Sequence, residues 1–135
     1  MLPGVLELLA ALPPGSWTVV TSATERLARA RMALGGIPVP ERLVTADHVT
    51  RGKPHPEPFL AGAALLGVEP SDCVVFEDSS SGAEAGRAAG CIVVATTFSQ
   101  PVESLNAAHY LVHDLTGVRV ELAQKELALR LTPVH

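Results

Sequence analysis

Cys73-Val74-Val75-Phe76 runs without a break into Glu77-Asp78. A continuous apolar run of this length fits a strand buried on both faces, and such strands belong to parallel sheets covered by helices on each side. The two acids that close the run are the tighter constraint. Carboxylates at the end of a buried strand are unfavourable unless a cation, a metal or a set of hydrogen bonds receives them. The chain is therefore held to an α/β arrangement whose polar groups gather at the carboxyl ends of the strands.

The rest of the sequence supplies elements for that arrangement. Val5, Leu6, Leu8, Leu9 and Leu12 recur at helical spacing after Pro3, and Pro13-Pro14-Gly15 ends that helix. Trp17 to Thr21 is β-branched and aromatic and reads as a strand. Thr24 is placed to cap a helix that runs from Glu25 to Leu34 and stops at Gly35-Gly36. Arg42 to Thr45 is a short strand. Pro54, Pro56 and Pro58 stiffen a loop, and Glu57 to Leu66 is a helix closed by Gly67. Ser81 to Ala89 is an alanine-rich helix closed by Gly90. Ile92 to Ala95 and Tyr110 to Val112 are further strands, and Glu121 to Leu131 reads as a charged amphipathic helix packed on the outside. Strands alternating with helices imply right-handed crossovers and a mainly parallel sheet in a single domain over residues 1–135.

Composition removes several classes of function. A net charge of −4 with no Lys/Arg cluster gives no surface for a run of phosphates, so nucleic acid is not expected as a partner. No apolar stretch reaches the roughly 20 residues that cross a bilayer, and Met1-Leu2-Pro3-Gly4 lacks the basic start of a secretory leader. Cys73 and Cys91 form no CxxC pattern and read as buried thiols. A cytoplasmic location is the expectation.

Three groups carry the chemistry. Thr21 and Ser22 end one strand, where a hydroxyl and free backbone amides suit a phosphate oxygen. The alternative is that Thr21 fills space and Ser22 or Thr24 caps the next helix. Lys53 stands between Gly52 and Pro54, so its ammonium could neutralise a carboxylate and a phosphoryl group. The alternative is a solvated loop lysine. Glu77 and Asp78 are hard oxygen ligands of the kind Mg2+ accepts, with Ser79-Ser80-Ser81-Gly82 as supporting groups and helix cap. The alternative is Asp78 as a cap with Glu77 exposed. His109 and His113 flank a strand and so do not share a helix face, which disfavours a metal pair. His55 follows Lys53 and either meets substrate or orients the loop.

In this order the motifs resemble the haloacid dehalogenase-like (HAD) phosphohydrolases, nearest the sugar-phosphate and glycerol-phosphate phosphatases and the β-phosphoglucomutase-like group. Val19-Val20-Thr21-Ser22 is similar to the second family motif. Arg51-Gly52-Lys53-Pro54-His55-Pro56-Glu57-Pro58 is similar to the third and is the most specific match. Val74 to Gly82 is similar to the fourth, and Pro3 to Leu9 resembles the segment that re-enters the core after a helical cap. The resemblance implies a Rossmann-like parallel sheet with flanking helices. It also implies Mg2+-dependent phosphoryl transfer through an aspartyl-phosphate on a small phosphorylated sugar or polyol. Thr21 and Lys53 would be the catalytic groups, Thr21, Ser22 and Lys53 would bind phosphate, and Asp78 with Glu77 would hold Mg2+.

One departure is large. Family members open with a strand ending in Asp-x-Asp, which supplies the nucleophile, whereas Asp here stands only at positions 47, 72, 78 and 114. The chain reads as the C-terminal part of such a core, without that strand and cap, and its isolated form is expected to be inactive. A non-catalytic remnant that binds phosphate or a partner is the alternative, with self-association through the incomplete sheet. An unrelated doubly wound domain is a third reading, and the lack of a Gly-rich loop after the first strand opposes its nucleotide-binding version.

Overall fold

The computed structural model describes residues 2–123 and 126–132. Helix α1 (Val5–Ala11) comes first, then α2 (Glu25–Leu34) and α3 (Glu57–Leu66). Strand β1 (Val74–Glu77), helix α4 (Ser80–Ala88) and strand β2 (Ile92–Thr96) form one crossover unit, followed by β3 (Tyr110–Val112). Strands β1, β2 and β3 make a parallel sheet in that order, with Phe76 opposite Val94 and Glu77 opposite Ala95. This is the α/β parallel sheet with flanking helices expected from the sequence.

Each face of the sheet has its own core. Side chains alternate across a strand, so Val75 and Val93 point to one face and Phe76 to the other. Val75 and Val93 meet Phe59 of α3 and Ala83 and Ala85 of α4. A Cβ on Gly86 would come within 2.8 Å of the Val93 side chain, so this glycine lets α4 lie close on the sheet. On the second face Phe76 joins Leu8, Leu115 and Val118.

The last part of the chain differs from expectation. In place of a helix over Glu121–Leu131, strands β4 (Val118–Ala123) and β5 (Glu126–Leu131) form an antiparallel hairpin. Residues 124 and 125 of the expected helix lie outside the described residues. The period of two starts earlier, at Val118 and Val120, and continues in Leu129 and Leu131; these four pack with Leu8 and Leu115. Leu, Glu and Ala favour helix weakly, and the burial of one alternating face outweighs them.

The expected strands at Trp17–Thr21 and Arg42–Thr45 contract to a single parallel bridge, Val20 to Val44. Val44 N donates to Val19 O and Thr21 N to Val44 O, both at 2.9 Å. Thr21 then turns, its hydroxyl accepting from Ala23 N at 3.1 Å. Two short segments that pair only with each other cannot extend a ladder. Strand β1 is hydrogen-bonded to β2 alone, so among the described residues its other edge has no strand beside it. An apolar cavity of about 610 Å³ is lined by Val19, Val20, Val74, Phe76, Leu8 and Leu12, among others. No helix is long and apolar enough to cross a membrane among the described residues.

Candidate functional site

The carboxyl end of β1 opens onto a cavity of about 380 Å³ whose walls include Thr21, Ser22, Lys53, Glu77 and Asp78. The five residues read as candidates from separate stretches of sequence thus share one pocket. The bridge at Val20 brings in Thr21 and Ser22, the loop before α3 brings in Lys53, and β1 delivers the acids.

Lys53 is the best fixed of them. Its Nζ donates to Glu77 Oε1 at 2.5 Å and to Val20 O at 3.2 Å. The ammonium also lies 4.9 Å from the centre of the Phe59 ring. The Lys53 and Glu77 side chains are each only 9% exposed, so this ion pair is buried. The solvated-lysine alternative is thereby excluded. The loop around it is braced from both sides: the Glu57 carboxylate accepts from Thr50 N and Arg51 N, and His55 Nδ1 accepts from Glu57 N at 3.1 Å. His55 therefore orients the loop. The Lys53–Pro54 peptide is cis.

Glu77 is the hub. Besides Lys53, its second oxygen accepts from Asp78 N and from Ser79 Oγ, both at 3.2 Å. Ser79 Oγ in turn accepts from Gly82 N at 3.1 Å and caps α4. A Cβ on Gly82 would collide with the Glu77 carboxylate, so the glycine makes room for it. The cap of α4 is Ser79, not Asp78.

Asp78 is exposed, and its carboxylate makes no hydrogen bond or ion pair among the described residues. Since Lys53 is balanced by Glu77, Asp78 brings an uncompensated negative charge to a pocket that also holds hydroxyls. A phosphate group there would be repelled by Asp78 unless a cation stood between them. The donor set fits a hard divalent ion that keeps most of its waters. No group of three His, Cys, Asp or Glu side chains is gathered for a metal among the described residues, so the protein side offers the acids at the end of β1 and neutral oxygens only.

Ser22 is exposed, with its hydroxyl unbonded among the described residues. Thr24, not Ser22, caps α2, accepting from Leu27 N at 3.4 Å. His109 completes the sheet: its Nδ1 accepts from Val93 N and its backbone N–H donates to Val93 O, each at 2.9 Å. His113 instead sits edge-on to Phe98, with ring centres 5.8 Å apart.

Three contributors to the site were not read from the sequence: Phe59 beneath Lys53, the Val20 carbonyl and Thr96. Thr96 ends β2 and lines the same cavity. None carries a local motif; each is a product of packing between distant segments. Asp47 Oδ2 accepts from Glu25 N at 2.9 Å and ties the Val44 segment to the start of α2.

The model of the haloacid dehalogenase-like hydrolase family matches residues 1–90. Hexitol phosphatase A of Escherichia coli K12 is 43% identical over 121 residues, covering 88% of this chain and 56% of the relative. Glycerol-1-phosphate phosphohydrolase 1 of Saccharomyces cerevisiae is 39% identical over 130 residues, covering 87% and 52%. Among solved structures, a HAD family hydrolase from Deinococcus radiodurans R1 with bound phosphate and sodium superposes with a TM-score of 0.71 at 28% identity, covering 82% of this chain and 53% of that one. The chain spans about half the length of the curated relatives it matches.

Proposed function

The chain belongs to the haloacid dehalogenase-like hydrolases, and from that membership we propose that it forms the phosphate- and Mg2+-holding part of a phosphatase site for a small phosphorylated sugar or polyol. The observation that carries this reading is the placement of Lys53. Its ammonium is buried and fixed by Glu77 and Val20 O in the pocket that Thr21 and Asp78 also line. An ammonium fixed in place by Glu77 and Val20 O is oriented for an anionic group and needs no rearrangement to meet it, once a cation at Asp78 offsets the negative charge of the pocket.

In this reading Thr21 and the backbone at Ser22 bind phosphate oxygens, and Lys53 neutralises the transferring group. Asp78 is the first carboxylate for Mg2+, with Glu77 beside it holding Lys53 and the Asp78 loop in place. Mg2+ supplies charge neutralisation between Asp78 and the phosphate. The relatives that act on hexitol and glycerol phosphates support the substrate class. A cytoplasmic site of action accords with such metabolites as substrates.

The sequence holds no Asp-x-Asp. Covalent transfer needs a positioned carboxylate nucleophile, so the pure 135-residue chain is expected to release no phosphate from glycerol or hexitol phosphates in the presence of Mg2+. Sustained release that Lys53→Ala abolishes would contradict the inactivity and place a nucleophile among the residues of this chain.

A second reading is favoured by one observation, the apolar cavity beside the edge of β1 that has no neighbouring strand among the described residues. An unpaired edge accepts an added strand, and a second copy of the chain would make the protein a self-associating binding module. Sedimentation velocity across a concentration series distinguishes the two. Dimerisation without regard to Mg2+ supports this reading, and a monomer at every concentration contradicts it.

A further inference from the structure

Thr96 is 1% exposed, and its hydroxyl oxygen is buried with no hydrogen-bond partner among the described residues. It nevertheless lines the cavity that holds Thr21, Lys53 and Asp78. The strand register explains how. Ala95 lies opposite Glu77, so the next residue along β2 stands beside the point where Asp78 leaves β1. No polar group among the described residues reaches it: Val112 is opposite on β3, Val94 precedes it on the same face, and Leu115 lines the cavity with it.

The other fully buried threonine shows what the fold does when a hydroxyl serves structure alone. Thr45 Oγ1 accepts from Asp47 N at 3.2 Å and meets His48 Nδ1 at 3.1 Å. A buried hydroxyl with no partner loses its hydration for nothing, and valine would fill the same β-branched space without that penalty. A threonine at the mouth of a polar cavity is explained if its partner arrives with a ligand.

We propose that Thr96 is a further ligand-binding residue of this pocket, its hydroxyl hydrogen-bonding to an oxygen ligand of the Mg2+ that Asp78 would hold. With the cation alone the hydroxyl would accept from a Mg2+-bound water, whose oxygen lone pair is committed to the metal; with phosphate bound it would donate to a phosphate oxygen. The proposal rests on the phosphate and Mg2+ reading above. An O–H that points at a cation-bound anionic oxygen makes a charge-assisted hydrogen bond, stronger than one between neutral groups.

Thr96→Val removes the hydroxyl at constant shape, and Thr96→Ser retains it. Titration calorimetry on the full chain with MgCl2 alone, and with inorganic phosphate at saturating Mg2+, reads the two oxygens separately. Thr96→Val is expected to weaken binding by about tenfold in at least one titration, and Thr96→Ser to restore it. The titration that responds tells whether water or phosphate is the partner. The melting temperature of ligand-free Thr96→Val is expected to equal or exceed that of the unsubstituted chain. A lower melting temperature, or misfolding, would overturn the proposal, because the hydroxyl would then serve the fold. Unchanged affinity in both titrations would overturn it as well. Loss of binding in the unsubstituted chain itself would refute the site reading on which the proposal stands.

Discussion

Replacing Lys53 by methionine keeps the length of the side chain and removes its charge. The Glu77 carboxylate, 9% exposed, would keep only Asp78 N and Ser79 Oγ as partners. Breaking a buried ion pair from one side typically costs about 3–5 kcal/mol, because the remaining charge is left uncompensated. Domains of this kind have about 5–15 kcal/mol of stability in all, so the loss is a large share. At about 3–5 °C per kcal/mol for a chain of this size, the melting temperature should fall by roughly 10–25 °C. Urea unfolding followed by Trp17, the single tryptophan, and by circular dichroism measures the difference. Lys53→Met combined with Glu77→Gln removes both charges and should recover at least half of the loss. A loss below about 1 kcal/mol for the single substitution would mean that water screens the pair as it screens a surface one, and would refute the argument. A double variant no more stable than the single one would refute it equally.

Gly82→Ala pushes a methyl group into the Glu77 carboxylate. The variant should lose about 1–3 kcal/mol, visible as a lowered thermal midpoint. In the hairpin, Val120→Asp puts a charge on the face packed with Leu8 and Leu115 and should lower stability by more than about 2 kcal/mol, while Arg119→Glu on the exposed face should change it by less than about 0.5. A helix in that place would not show this contrast between adjacent residues. Burial, and then the neighbouring Cys73, push the Cys91 thiol up to about 11 from an ordinary 9.0. The folded state thus favours the neutral thiol; its contribution is intact below pH 9.0 and is lost as pH rises through about 11. Iodoacetamide at pH 8 should therefore modify the half-buried Cys73 first and Cys91 only after unfolding, as mass spectrometry would show.

What the sequence made legible follows from the range of the forces involved. The run from Val74 to Asp78, the cap at Thr24 and the glycine after α3 are local signals, and each appears where its pattern indicates; the run Ser79–Gly82 signalled a cap without saying which serine supplies it. The five candidate residues meet because β1 delivers Glu77 and Asp78 at its carboxyl end, the Val20 bridge sets Thr21 and Ser22 beside them, and the loop before α3 carries Lys53 to Glu77. The hairpin was obscured because Leu, Ala, Glu, Gln and Lys all suit a helix, and the alternation that decides the matter begins at Val118, before the stretch that looks amphipathic. The strand at Trp17–Thr21 was overread because its residues have β propensity, yet a strand needs a neighbour, and Val44 provides a single bridge. Thr96 gave no signal at all, since a threonine in Ile92-Val93-Val94-Ala95-Thr96 looks like one more β-branched strand residue until its hydroxyl is found without a partner.

Calorimetric titration of the purified chain with inorganic phosphate, with and without Mg2+, tests the central claim most directly. The account predicts saturable binding that requires Mg2+, weakened about tenfold or more by Lys53→Ala and by Asp78→Asn, each of which removes a charge-assisted contact or a metal ligand. Absence of phosphate binding with Mg2+ present, or binding that neither substitution alters, would contradict it.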